Sequence, residues 1–195
     1  MILNPIVVNE NGKSDIFSVN LENRIVLLTG AIEDEMAASV ISQMLYLDSV
    51  GKSEISLYIN SPGGAVNAGL AIYDVMQSLR SPVSTICMGH AASMAAVILS
   101  GGTKGRRFIL PHSEVMIHQP SGGIDGQAMD IRIAASHIES LRADTNGILA
   151  QNCGVPIEEI ESATDRDYWM KAEEAVKFGI VDRVVLSADT DDQNE

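Results

Sequence analysis

Apolar positions change their spacing repeatedly along this 195-residue chain, and each change marks the edge of an element. Ile25-Val26-Leu27-Leu28 and Ile55-Ser56-Leu57-Tyr58-Ile59 are short, partly β-branched apolar runs closed by Thr29-Gly30 and by Asn60-Ser61-Pro62-Gly63-Gly64. Both predict strands. Between them Glu33-Asp34-Glu35 puts carboxylates at a helix start, and Met36, Val40, Met44 and Leu47 recur at three- and four-residue steps. That spacing predicts an amphipathic helix. The alternation continues with a helix over 66–79, a strand over 83–88, a helix over 93–99 and strands over 108–110 and 115–117. Strands alternating with helices predict an α/β fold with a largely parallel sheet.

Residues 127–152 hold neither proline nor a turn cluster, although Gly147 interrupts them. They predict a helix of about 35 to 40 Å at 1.5 Å per residue, more than a small domain covers. A shorter helix after Pro156, a strand over 168–170, a helix over 172–178 ended by Gly179 and a strand over 181–185 complete the pattern. With no internal repeat and no linker, residues 1–187 are expected to form a single domain. Residues 188–195, with Asp189, Asp191, Asp192 and Glu195, are expected to be a disordered acidic tail.

Charge narrows the partners. Thirteen basic against 26 acidic residues leave −13, and an acidic surface repels phosphate backbones and anionic headgroups, so neither nucleic acid nor a membrane surface is expected as a partner. No apolar run approaches the roughly 18 to 20 residues of a membrane span. Residues 1–12 lack a basic region followed by an apolar stretch, so the chain is expected to be cytoplasmic. Cys87 and Cys153 have no metal-like spacing and read as reduced, packed thiols.

Candidate chemistry gathers where strands end. Cys87-Met88-Gly89-His90-Ala91-Ala92-Ser93-Met94-Ala95-Ala96 turns through small residues into an apolar helix that begins at a serine. Asn60-Ser61-Pro62-Gly63-Gly64 offers backbone amides unobstructed by side chains, as an oxyanion hole requires. His118 closes Val115-Met116-Ile117, and Asp167 lies where a helix gives way to a strand, placed to orient an imidazole. Each has a plainer reading when taken alone: Ser93 as a helix N-cap, the glycines as an ordinary turn, His118 as a structural histidine, Asp167 as a surface aspartate. His90, His112 and His137 lack a second catalytic-type signal beside them.

Asn-Ser-Pro-Gly-Gly at 60–64, Ala-Ala-Ser-Met at 91–94, Met-Ile-His-Gln-Pro at 116–120 and Arg-Asp at 166–167 stand in the order and at the spacings of the ClpP family. The chain resembles that family over residues 15–185. The resemblance implies a ClpP/crotonase-like fold and a serine endopeptidase subunit of a self-compartmentalised, ATP-dependent protease, acting on unfolded polypeptides. It makes Ser93 the nucleophile, His118 the general base and then acid, Asp167 the residue that fixes the imidazole tautomer, and the amides of Gly64 and Met94 the oxyanion hole. No metal and no cofactor is implied. It further implies two stacked heptameric rings, an axial segment over residues 1–18, and a handle region over 122–152 whose helix joins the rings, with Ile131 and Ile138 on its apolar face and Arg166 pairing across the contact. Gly122-Gly123-Ile124-Asp125-Gly126 would be a strand lining the substrate path. Tyr58, Ile86, Met88, Phe108 and Leu110 would receive an AAA+ unfoldase such as ClpX or ClpC.

The chain departs from the family pattern at His90, where glutamine is common, and at Gly12-Lys13-Ser14, where Gly-Glu-Arg often precedes the strand-like Asp15-Ile16-Phe17. It departs more tellingly at Ser56 and Ser78, where the docking pocket has aromatics. Small polar groups there weaken that pocket, which opens a second reading: a structural or regulatory paralogue in mixed rings. A third is a crotonase-like acyl-CoA enzyme, whose chemistry does not need Ser93, His118 and Asp167 together.

Overall fold

The computed structural model describes residues 5–9 and 12–185. The expected acidic tail at 188–195 lies outside the described residues. First in the chain is an antiparallel hairpin the hydrophobic pattern did not predict, β1 (Ile6–Asn9) and β2 (Gly12–Asp15), pairing Ile6 with Asp15 and Val8 with Lys13. Asp15 then caps a helix, α1 (Ile16–Glu22), its carboxylate accepting the N–H groups of Phe17 at 3.0 Å and Ser18 at 3.2 Å. The expected strand through Asp15-Ile16-Phe17 is thus corrected at Ile16 and Phe17, while Asp15 ends β2. Two orphan amides satisfied by one carboxylate outweigh the β-propensity of Ile16 and Phe17.

The main sheet follows the predicted alternation. β3 (Ile25–Thr29), α2 (Asp34–Val50), β4 (Ile55–Ser61), α3 (Val66–Ser78), β5 (Val83–Ala92), α4 (Met94–Ser100), β6 (Arg107–Ile109) and β7 (Glu114–Ile117) come before the long helix α5 (Ala128–Cys153). After it come α6 (Ile157–Ala163), β8 (Tyr168–Lys171), α7 (Ala172–Phe178) and a last, short β9 (Arg183–Val184). β3, β4, β5, β6 and β9 pair in that order, all parallel. β5 runs four residues beyond its expected end, and its two halves have different neighbours. Thr85 to Cys87 pair with β6, whereas His90 to Ala92 pair with β7, which in turn pairs antiparallel with β8. The fork carries the end of β5 toward the end of β7.

Period-two burial fixes which face is core. Ile55, Leu57 and Ile59 alternate inward on β4, Val26 and Leu28 on β3, and they join Val40, Met44 and Leu47 of α2 and Ile72 and Met76 of α3 in one buried cluster. Each such side chain contributes roughly 1.5 to 3 kcal/mol by leaving water. On the opposite face Leu27, Tyr58, Ile86 and Phe108 stand in register across four strands. At the far edge the buried Arg107 guanidinium bonds both carboxylate oxygens of Asp182 and the carbonyls of Ser100 and Asn152, joining β6, α4 and the end of α5.

α4 and α5 differ in their surroundings. Every residue of α4 is buried, whereas the buried residues of α5 are Thr145, Asn146, Leu149 and Cys153, all in its second half. Its first half leaves Met129, Ile131 and Ile133 exposed, so this part of the helix protrudes from the core. The expected strand over Gly122-Gly123-Ile124-Asp125-Gly126 is a further correction: the segment is exposed and joins no ladder. Three glycines in five residues carry a high entropic cost of ordering, and among the described residues no strand lies alongside to offset it.

Candidate active site

Three strand ends converge on Ser93. It stands between β5 and α4 with φ 57° and ψ −124°, a sparsely populated conformation for a residue with a side chain. Its N–H donates to the Met116 carbonyl at 2.8 Å, which ties the turn to β7. The N-cap reading does not hold: the Ser93 hydroxyl makes no capping bond to α4 and instead lies 2.9 Å from Nε2 of His118. Nδ1 of His118 lies 2.9 Å from Oδ1 of Asp167. Serine, imidazole and carboxylate thus form one continuous hydrogen-bonded line.

Neighbouring backbone holds that line. Just after His118, the Gln119 N–H donates to the Thr164 carbonyl at 2.7 Å and the Gln119 side-chain amide to the Asp165 carbonyl at 2.8 Å. The end of β7 is thereby fastened to the loop that delivers Asp167. Thr164 is itself buried, its hydroxyl bonded to Asn146 of α5 and to the Ile160 carbonyl. None of Gln119, Thr164 and Asn146 stood out as a site residue in the sequence. Adjacency to His118 marks Gln119 alone.

The Gly63-Gly64 turn lies against the serine. A Cβ on Gly63 would come within 2.6 Å of the Ala92 carbonyl oxygen and 3.0 Å of the Met94 nitrogen, and one on Gly64 within 2.2 Å of the Ile32 carbonyl oxygen. Both have positive φ, so here glycine is required by space and by backbone conformation together. Ile32 N–H donates to Gly63 C=O and Ala65 N–H to Ile32 C=O, each at 2.8 Å, a parallel bridge that turns the N–H of Gly64 away from Ile32. Among the described residues neither the Gly64 nor the Met94 N–H has a protein acceptor. Beside Ser93 and His118 a narrow cleft is walled by Val66, Met94, Val97, Ile117 and Leu149.

The other predicted residues fall in separate places. Tyr58, Ile86 and Phe108 share the outward sheet row, with Arg183 stacked over the Phe108 ring at 4.8 Å, and Met88 and Leu110 lie further along the same strands or just past them. Ser56 belongs to that face, whereas Ser78 ends α3 and bonds the Val75 carbonyl. Arg166 lines an open cavity of about 560 Å³ with Glu159, Asp165, Asp167, Tyr168 and Phe178. Ile131 is exposed on α5, but Ile138 is half-buried, a methyl group lying 3.0 Å from where a Gly122 Cβ would be. Burial pushes the Cys87 thiol up to about 12 and the Cys153 thiol up to about 11, so both stay protonated at neutral pH. Among the described residues no three His, Cys, Asp or Glu side chains group as a metal site would require, and no helix is long and apolar enough to cross a membrane.

A family model described as Clp protease matches residues 8–188. The chain belongs to the Clp protease family. Membership makes it a peptidase and extends the resemblance beyond 15–185 to take in β2 and the end of β1. In this Clp protease the Ser93 line, the glycine turn and the apolar cleft occupy one end of the forked sheet, where parallel α/β folds gather their sites.

Proposed function

We propose that this Clp protease subunit is a serine endopeptidase that cleaves unfolded polypeptides through an acyl-enzyme. The observation that carries the proposal is the pair of 2.9 Å contacts joining Ser93 to His118 and His118 to Asp167. Ser93 Oγ attacks the peptide carbonyl carbon while its proton passes to His118 Nε2. The Nδ1–H donates to Asp167, which holds the reactive tautomer and stabilises the imidazolium. The N–H groups of Gly64 and Met94 receive the negative charge that develops on the carbonyl oxygen. Imidazolium then protonates the departing amine; water, deprotonated by the same imidazole, attacks the ester, and the imidazolium so formed protonates Ser93 Oγ as the acyl–oxygen bond breaks.

Oligomeric assembly completes the proposal. The protruding first half of α5 exposes Met129, Ile131 and Ile133, and we assign it the contact between two stacked heptameric rings, with Arg166 pairing nearby. The outward row of Tyr58, Ile86 and Phe108, with Met88 and Leu110, receives an apolar loop of an AAA+ unfoldase such as ClpX or ClpC. Ser56 on β4 and Ser78 on α3 favour a second arrangement, in which this subunit shares rings with a paralogue that carries the stronger docking pocket. Family membership sets the acyl-CoA reading aside. Labelling with a fluorophosphonate probe tests the proposal: the parent protein labels and Ser93→Ala does not. Equal labelling of both proteins contradicts it.

A further inference from the structure

Ser61 closes β4 and is fully buried, yet its hydroxyl faces neither solvent nor the cleft. Its Oγ accepts the Gly63 N–H at 3.0 Å. The turn that follows is then held from two sides, by Ser61 from within and by the Ile32 backbone, which accepts from Ala65 and donates to the Gly63 carbonyl. Of the amides at 63, 64 and 65, those of Gly63 and Ala65 are engaged in this way, and the one with no acceptor among the described residues is that of Gly64. Gly63 packs directly on Ala92, Ser93 and Met94, so a change in the Gly63 backbone angles that carries the following peptide with it moves the Gly64 N–H relative to the nucleophile.

We infer that Ser61 is a positioning residue for the oxyanion-binding amide. By occupying the Gly63 N–H it fixes the turn and leaves the Gly64 N–H as the one presented to the substrate. The inference rests on the serine peptidase reading proposed above. Without the hydroxyl, the Gly63 amide is buried and unpaired, and a small rotation of the turn toward another acceptor relieves it. Misalignment of a donor weakens charge stabilisation in the transition state more than substrate binding in the ground state. The effect belongs in kcat.

The test uses the assembled protein, with competent sites counted by end-point fluorophosphonate titration and the lone tryptophan, Trp169, two residues beyond Asp167, reporting local structure by its emission. Per titrated site, Ser61→Ala is expected to lower kcat for a fluorogenic peptide about tenfold with KM changed less than about twofold, since it displaces one oxyanion donor and does not remove it. Affinity for a peptide boronate, whose tetrahedral adduct places an oxygen where the oxyanion forms, falls in parallel. Ser61→Cys, similar in size but a weaker acceptor, falls between parent and alanine variant, and carries the comparison if the alanine variant yields no titratable sites. Parent-like kcat per site in whichever variant titrates, or a loss confined to KM, overturns the inference. Ser93→Ala runs alongside: its inactivity leaves the peptidase reading standing whatever Ser61 does, and turnover in it sinks that reading first.

Discussion

Helix α4 is apolar at every position but Ser100, whereas the first half of α5 sets Asp130, Arg132 and Glu139 among its apolar residues, and the two stand in opposite surroundings. From Met94 to Ser100 every side chain of α4 is packed by its own chain, and the helix fixes the serine that precedes it. From Ala128 through Glu139 no residue of α5 is buried, and three large apolar side chains face outward. The first region draws its stability from within the subunit. The second has an apolar surface that the described residues leave unpaired, which supports the association proposed for it. The proposed function places chemistry on the rigid region and assembly on the protruding one.

Four substitutions break or sharpen this contrast. The largest effect is expected for Asp167→Asn, whose amide favours the wrong imidazole tautomer and lowers kcat about 10⁴-fold at unchanged fold; peptide hydrolysis with circular dichroism as control measures it. Next, Ile98→Ala, in the middle of α4, is expected to cost about 4 kcal/mol in chemical denaturation, because a fully buried isoleucine leaves a cavity that packed neighbours fill only in part.

Asp182→Asn is expected to cost about 3 kcal/mol at pH 7, by leaving the buried Arg107 without its carboxylate. Burial pushes the Asp182 carboxyl up, but its bonds to Arg107 more than offset this and hold it below the ordinary range. With the folded value depressed, the stabilisation is complete above an unfolded value of about 3.9 and is lost as pH falls through the folded value. Denaturation series from pH 6 to pH 2 should therefore show the gap between parent and Asp182→Asn closing in acid. The smallest effect on the subunit itself is expected for Ile131→Ala, within about 0.5 kcal/mol of the parent in stability. Sedimentation is where this variant departs, since stacked rings should separate into single ones. Full-size particles from a subunit lacking both the Ile131 and Ile133 side chains would remove α5 from the contact.

Much of this contrast is legible in the sequence. Short apolar runs closed by turn residues mark β3, β4 and β7, and a stretch without breakers marks the long helix. Ser93, His118 and Asp167 could each be placed at the end of an element, since strand ends follow from the apolar runs. What is not legible acts through hydrogen bonds that exist only once a turn has closed or distant segments have met. Ser61, Ile32, Gln119 and Thr164 look like ordinary strand and turn residues until the fold sets the Gly63 amide and the Asp167 loop beside them. The β1–β2 hairpin is hidden because Gly12-Lys13-Ser14-Asp15 has no apolar face to reveal it, and the strand-like look of Ile16 and Phe17 conceals the helix that Asp15 caps. The division between buried α4 and exposed α5 was visible only in part: excess length showed that α5 must protrude, but not which half or which of Ile131 and Ile138 faces out.

The central claim is that Ser93 carries an acyl intermediate, and intact-protein mass spectrometry after brief reaction with an activated peptide ester tests it most directly. The account predicts one added acyl mass per subunit, located by digestion on the Ser93 hydroxyl, accumulating further in Asp167→Asn if deacylation slows more than acylation, and absent in Ser93→Ala. An acyl group on any other residue, or sustained hydrolysis by Ser93→Ala, would contradict it.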